Sequence, residues 1–243
     1  MVKYLGTHNS GTSSKLVWWQ RPFGWLIHLT SRCQTLSIEE QLKNNVRFFN
    51  LQVAYYKGQW VFSHGLAIYT DKLLDAIKLM EKYATPDCPV YYQLRLDENF
   101  LLGKNVNEFE KIVNYLLTKH NNVKMRYAYI EGTKSYIYRN TKDYINCSEH
   151  YWTMGWAKEN AESWLDYIPL PKRHAKKYNK QYIEENKADY LMLDFIEYGT
   201  YPITEKDMSV NINGTKIKLK NGKIGYMELS YKIGTVANPI VIT

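Results

Sequence analysis

Tyr4-Leu5-Gly6-Thr7-His8-Asn9-Ser10-Gly11-Thr12 runs extended and then breaks at turn-forming residues just after His8. A second stretch, Trp60-Val61-Phe62-Ser63-His64-Gly65-Leu66, is aromatic and β-branched and ends in His-Gly. A histidine that closes a strand beside a tight turn holds its imidazole on a rigid element. Two such imidazoles facing one substrate give acid–base chemistry its two parts, one ring to accept a proton and one to donate it. Either histidine alone reads as well as an ordinary, partly buried residue. The pair is what points to chemistry.

Between them, Cys33 to Leu42 reads as a short helix, with Ser37 as N-cap and Glu40 three residues on as its capping-box partner. Val46-Arg47-Phe48-Phe49-Asn50-Leu51-Gln52-Val53 then alternates as a strand does. Side chains two apart share a strand face, so Asn50 and Gln52 lie opposite Phe49, Leu51 and Val53. Gln93, Arg95 and Asp97 likewise lie opposite Tyr92, Leu94 and Leu96. If the apolar faces pack on helices, these polar groups point into the interior of a barrel. That interior is normally filled with apolar side chains, so polar groups there mark a site. Wet edge strands are the alternative.

The order of these motifs is a histidine turn, a Ser37-Ile38-x-x-Gln41-Leu42 helix, an Arg47-x-Phe49-x-Leu51-x-Val53 strand and a His-Gly strand. It resembles the X domain of the phosphatidylinositol-specific phospholipases C. The resemblance is dense from residue 4 to 66 and looser to about residue 198. It implies a phosphodiesterase that splits phosphatidylinositol-type lipids into diacylglycerol and an inositol cyclic phosphate, acting as hydrolase and lyase. In that scheme His8 is the general base for the inositol 2-hydroxyl and His64 protonates the departing diacylglycerol oxygen. Asp194 matches the aspartate that orients the first histidine, much as the acid of a Ser-His-Asp triad does. Arg139 sits at the position of a headgroup-binding arginine.

Departures from the family pattern gather at the phosphate. Calcium-dependent animal members carry acidic residues where this chain has Asn50, Gln52 and Arg95, alongside an asparagine that corresponds to Asn9. Calcium needs several oxygen ligands, usually with carboxylates among them. Asn9, Asn50 and Gln52 are therefore expected to bind substrate rather than calcium, and no metal or other cofactor is expected. Bacterial members need no metal and place an arginine at the position of Gln52 and a lysine at that of Arg95. Arg95 keeps a positive charge and is expected to stabilise the phosphate, whereas Gln52 points to weakened activity. A catalytically silent module that binds phospholipid headgroups, or that serves as part of a larger assembly, is the alternative.

The rest of the chain alternates between strand and helix patterns, as a β/α barrel requires. Helices are expected over 71–83, 106–119, 159–167 and 179–186, and strands over 90–96, 124–130, 135–139 and 189–196. The fold expected is α/β, an irregular TIM-type barrel over 1–203. A small antiparallel β extension follows over 204–243, where Asn213-Gly214 signals a hairpin. A solvated edge guarded by Lys216, Lys218 and Lys220 is its simplest reading. The basic stretch Lys172 to Lys177 reads by default as a solvated loop.

Composition suits a globular protein: 45% of the 243 residues are hydrophobic. No apolar run reaches the roughly 18 residues of a membrane span. No charged-then-apolar leader precedes the first strand, so a Sec signal is not expected. Cys33, Cys88 and Cys147 lack a Cys-x-x-Cys pair and read as buried thiols rather than a disulfide framework or zinc site. Asn146-Cys147-Ser148 and Asn213-Gly214-Thr215 match the glycosylation pattern by chance. The net charge of +8 suggests an anionic partner. Nucleic acid lacks any recognisable motif here. Between Lys15 and Trp25, three tryptophans and Phe23 stand among basic residues, a composition suited to a membrane–water interface. Packing of this segment on the barrel is the alternative. In bacterial members of the resembled family a tryptophan of the corresponding short helix touches the bilayer, so Trp18 and Trp19 are the expected contacts. The partner expected is a phospholipid at a membrane surface, met by a peripheral protein.

Overall fold

The computed structural model describes residues 4–97, 101–103, 105–119, 122–131, 135–140, 147–152, 157–185, 190–198, 209–212 and 215–218. Its strands are β1 (Tyr4–Thr7), β2 (Val46–Tyr56), β3 (Gln59–His64), β4 (Ala67–Lys72), β5 (Val90–Leu96), β6 (Val123–Ile130), β7 (Ser135–Arg139), β8 (Cys147–Trp152) and β9 (Tyr190–Leu193). They form one nine-stranded mixed sheet, ordered β7-β6-β5-β2-β1-β9-β8, with β3 pairing to β2 and β4. The run from β6 to β8 is parallel, while β3, β4 and β7 enter antiparallel. A separate two-stranded sheet pairs β10 (Ser209–Ile212) with β11 (Thr215–Lys218), the hairpin expected around Asn213-Gly214.

Among the described residues, helices α1 (Gly24–Ser31), α2 (Ile38–Lys43), α3 (Leu73–Tyr83), α4 (Val106–Lys119) and α5 (Pro171–Glu185) accompany the main sheet. The apolar face of β2 and β5 meets them as the alternation requires. Phe49, Leu51, Tyr92 and Leu94 are fully buried in one core with Ile77 and Met80 of α3 and Phe109 of α4. Ser37 caps α2 with the reciprocal Glu40 contact that its spacing demands. Just beyond α2, the buried Arg47 donates to the Leu42 carbonyl, placing a cation at the negative end of the helix dipole.

Two differences from the sequence reading have physical causes. The expected barrel does not close among the described residues, because β7 turns back antiparallel on β6 and does not continue the parallel run towards β8. The stretch 172–177 is not a loop but the first turns of α5. Its hydrophobic signal is diluted by lysines, yet His174, Ala175, Tyr178 and Tyr182 recur at helical spacing and are buried. Asp166 anchors those turns. It accepts from Arg173 (2.8 Å), Lys177 (3.3 Å) and Tyr178 (2.8 Å) while fully buried. Burial alone would raise its carboxyl, but these three donors hold it well below the usual carboxylate range.

The histidine turn after β1 packs on β3 through a glycine. A Cβ placed at Gly11 would lie 2.1 Å from the ring of Phe62, itself 1% exposed. Only a residue without a side chain lets the two histidine-bearing segments approach so closely. Gly11→Ala is expected to destabilise the fold by about 1–3 kcal/mol through overpacking, and Phe62→Leu in the same chain to recover part of that loss. Denaturant midpoints of the single and double variants test this. Equal stability of Gly11→Ala and wild type would contradict the packing.

Candidate active site

β1 lies between β2 and β9, and its register with β9 pairs Thr7 with Leu193. The residues that follow, His8 and Asp194, are therefore level at the same end of the sheet. His8 Nδ1 and Asp194 Oδ1 are 2.8 Å apart, and both side chains are buried. The His8 amide also donates to the Leu193 carbonyl at 3.0 Å. Gln34 locks the same junction, its amide nitrogen donating to the carbonyls of His8 (3.0 Å) and Leu193 (2.7 Å). From the other side Asn179 of α5 donates to the carbonyls of Asp194 and Phe195.

His64 ends β3 just before Gly65, which adopts φ 60°. Its Nδ1 donates to the Ser31 carbonyl at 2.8 Å, which leaves Nε2 as the acceptor in the neutral ring. The rings of His8 and His64 stand edge to face with centroids 6.1 Å apart. Burial, the neighbouring His8 and Arg95 push His64 down to about 4, against the Ser31 carbonyl and Asp194, which favour its charged form. Near neutral pH His64 is therefore neutral.

A polar node braces the turn between them. Thr12 Oγ1 donates to the Asn9 carbonyl and accepts from the amides of Cys33 and Gln34. Asn9, in the left-handed region at φ 44°, donates its backbone N–H to Asn50 Oδ1 at 3.0 Å and its side-chain amide to Cys33 Sγ at 3.7 Å. Cys33 Sγ is also 3.8 Å from His64 Nδ1, and its burial pushes the thiol well up, so it stays protonated. Cys33, Gln34 and Asn179 contribute to this site without a local sequence signal, because each arrives by a long-range contact.

The polar face of β2 and β5 forms the second half of the site. Gln52 donates to Asp97 (2.6 Å) and to Glu131 (2.9 Å), and Arg95 forms an ion pair with Glu131 while lying 5.7 Å from the Tyr129 ring centroid. Ser63 donates to Asp97 from β3. Asp97 shares strand parity with Gln93 and Arg95, which made it visible in sequence. Glu131 lies one residue past β6 and had no such signal. Arg139, exposed on β7, stands over Tyr136 with 5.4 Å to the ring centroid. Its register partner is Tyr127, whose hydroxyl donates to Gln93. Arg139 thus lies on the face that carries Gln93 but at the outer end of the sheet, away from the histidine pair.

Trp18 and Trp19 lie on a 3₁₀ segment, Trp18–Phe23, that leads into α1. Trp18 is 71% exposed and Trp19 is partly exposed, and Phe23, Trp25, Leu26 and Leu29 extend the exposed apolar surface along α1. Gln20 ties this segment to the turn after His64 by donating to the Leu66 carbonyl at 2.7 Å. No helix among the described residues is long and apolar enough to cross a membrane.

The electrostatics at His64 yield a direct test. Its ring should titrate near about 4 in the ligand-free protein. Arg95→Gln removes one of the charges that oppose protonation, so the same resonance should titrate at higher pH. NMR titration of the histidine rings measures both. A wild-type His64 titrating at or above the ordinary histidine value, about 6.5, would contradict this description.

No family model matches the chain, and no curated protein sequence does. Solved structures do. A double mutant of the phosphatidylinositol-specific phospholipase C of Staphylococcus aureus superposes with a TM-score of 0.52 at 14% identity, covering 83% of this chain and 87% of that one. Another structure of the S. aureus enzyme, concerned with its membrane binding, gives 0.51 at 13% identity over 83% and 88%. The Listeria monocytogenes enzyme gives 0.50 at 13% identity over 80% and 88%. The chain has the α/β fold of the bacterial phosphatidylinositol-specific phospholipases C.

Proposed function

We propose that the chain is a phosphoric diester hydrolase of the phosphatidylinositol phospholipase C type, converting phosphatidylinositol-type lipids to diacylglycerol and an inositol 1,2-cyclic phosphate. The observation that carries this reading is the pair of imidazoles 6.1 Å apart, one tied to a buried carboxylate and the other to a backbone carbonyl. That spacing leaves room for a phosphodiester between two proton-transfer groups.

In this mechanism His8 removes the proton of the inositol 2-hydroxyl, and the oxygen attacks phosphorus. Asp194 holds the ring of His8 and stabilises the imidazolium that forms. The bond from phosphorus to the diacylglycerol oxygen breaks, and His64 gives that oxygen its proton. His64 must be charged to do so. The negative phosphodiester offsets the burial that keeps it neutral, and the Ser31 carbonyl supports the charged ring. Arg95 stabilises the phosphate oxygens, with Asn9, Asn50 and Gln52 contacting the headgroup, while Arg139, at the outer end of the sheet, takes no part in this step. Trp18 and Trp19 rest in the membrane interface, which brings lipid to the turn that carries His64.

No metal enters this scheme. Asp97 and Glu131 add carboxylates beside Gln52, but Asp97 is engaged by Gln52 and Ser63, and Glu131 by Gln52 and Arg95. A second reading, a silent module that binds phospholipid headgroups, is favoured by the same pairing, because Glu131 draws off part of the charge that Arg95 would offer a phosphate.

Turnover of phosphatidylinositol in vesicles separates the two. His8→Ala and His64→Ala should each slow it by about 10²–10⁴-fold, as expected for a positioned base or acid. Asp194→Asn should cost up to about 10⁴-fold if its role matches that of the triad acid. EDTA should leave the wild-type rate unchanged. Retention of most of the rate in either histidine variant would overturn the two-histidine mechanism. Loss on chelation, restored by calcium, would overturn the metal-free site. A wild type that binds these vesicles and releases nothing would establish the silent module.

A further inference from the structure

Cys33 is a buried group beside both histidines that the mechanism above leaves idle. A buried free cysteine ordinarily behaves as a small apolar side chain. This one has polar company. Its Sγ is 3.7 Å from the side-chain nitrogen of Asn9 and 3.8 Å from His64 Nδ1. One ligand-type atom from each of His8, Cys33 and Asp194 lies within 4.8 Å of the other two, and all three residues are buried.

Two features say what fits among them. The first is the donor set. One imidazole nitrogen, one sulfur and one carboxylate oxygen suit Zn²⁺ and ions of similar softness, not calcium or magnesium, which take oxygen. The second is rigidity. The Cys33 amide donates to Thr12 Oγ1 at 2.9 Å, and its carbonyl accepts from the amide of Phe195, the residue after Asp194, at 2.6 Å. The register of β1 with β9 and the two bonds from Gln34 fix the other two ligands. All three therefore hang from one braced junction, and the Asn9 amide is placed to donate to a thiolate, as outer-shell partners of metal ligands do. His8 Nδ1 and Asp194 Oδ1 are 2.8 Å apart. Tetrahedral bonds of about 2.0 Å place two ligands roughly 3.3 Å apart, so a widening of about 0.5 Å admits an ion in place of the proton between them. Side-chain rotation brings the sulfur in.

We infer that His8 Nδ1, Cys33 Sγ and a carboxylate oxygen of Asp194 bind a Zn²⁺-type ion, with water as fourth ligand, and that this ion inhibits the protein. On binding, the Cys33 thiol releases its proton to solvent and the thiolate bonds the metal; nothing is oxidised. With the metal on Nδ1, the neutral ring of His8 carries its single proton on Nε2. In the proposed mechanism Nε2 is the nitrogen that accepts the proton of the inositol hydroxyl, so the base is blocked. Asp194, now a ligand, no longer supports an imidazolium. Binding stands on the geometry alone, whereas inhibition rests on the two-histidine reading above.

The test titrates the untagged full chain with Zn²⁺ by calorimetry and with Co²⁺ by absorption. Wild type should bind a single ion and show a sulfur-to-cobalt charge-transfer band. Cys33→Ser should lose that band. Cys33→Ser and His8→Ala should each weaken Zn²⁺ binding by about 100-fold or more, at or beyond the upper end of what losing an outer-shell partner costs. Cys88→Ser should change neither reading, because the Cys88 sulfur lies 3.3 Å from the Arg47 guanidinium, a poor neighbour for a cation. The cobalt band is read on wild type, so it decides the site even where a variant fails to fold. Absence of the band in wild type, or an unchanged Zn²⁺ affinity in Cys33→Ser, would overturn the site. Saturating Zn²⁺ should slow turnover of phosphatidylinositol vesicles by about 10²-fold or more, as loss of a positioned base does, and EDTA should restore the metal-free rate. Zn²⁺ bound at this site with turnover unaffected would overturn the inhibition. A metal-free wild type that cleaves no phosphatidylinositol would instead defeat the proposed function, while the metal titrations still decide the site.

Discussion

The register of β1 against β9 is the constraint on which the site depends. Thr7 pairs with Leu193, so His8 and Asp194 emerge level and within 2.8 Å. A slip of one residue would turn every side chain of a strand to the opposite face and separate the pair. Several groups hold this register at the strand ends. The His8 amide continues the ladder to Leu193, Gln34 bridges both carbonyls, and Asn179 secures the backbone after Asp194. A buried histidine with a buried carboxylate is tolerable only when each satisfies the other. The structure meets that condition with the backbone of a parallel sheet rather than a mobile loop.

The second histidine is positioned differently. His64 takes its orientation from a carbonyl at the end of α1, the helix whose outer side is exposed and apolar. The site is thus divided between a rigid half, set by the sheet, and a half attached to the surface proposed to face lipid. Electrostatics divide along the same line. Asp194 faces His8, whereas burial, His8 and Arg95 keep His64 uncharged. Substrate phosphate would then supply the charge that makes His64 an acid.

Much of this was legible in sequence because it rests on local patterns. The strand-ending histidines, the Ser37 capping box and the alternation of β2 and β5 each follow from spacing of two or three residues, and the structure places those elements accordingly. What stayed hidden depends on contacts between distant segments. Gln34 and Cys33 look like loop residues until the chain folds them against His8 and His64. Glu131 lies just past its strand, so no periodicity marked it as the partner of Arg95. Barrel closure could not be read either, since strand composition does not tell that β7 pairs antiparallel to β6. The basic start of α5 was masked for a related reason. Its lysines obscure a helical stripe that only burial makes plain.

The account stands on one chemical event, attack by the substrate's own hydroxyl under two-histidine catalysis. Phosphorus NMR of the products released from phosphatidylinositol vesicles tests it most directly. The account predicts that the first phosphorus-containing product is a five-membered cyclic phosphodiester, with any phosphomonoester appearing later by its hydrolysis. Direct formation of inositol monophosphate with no cyclic intermediate, or of phosphatidic acid, would contradict it.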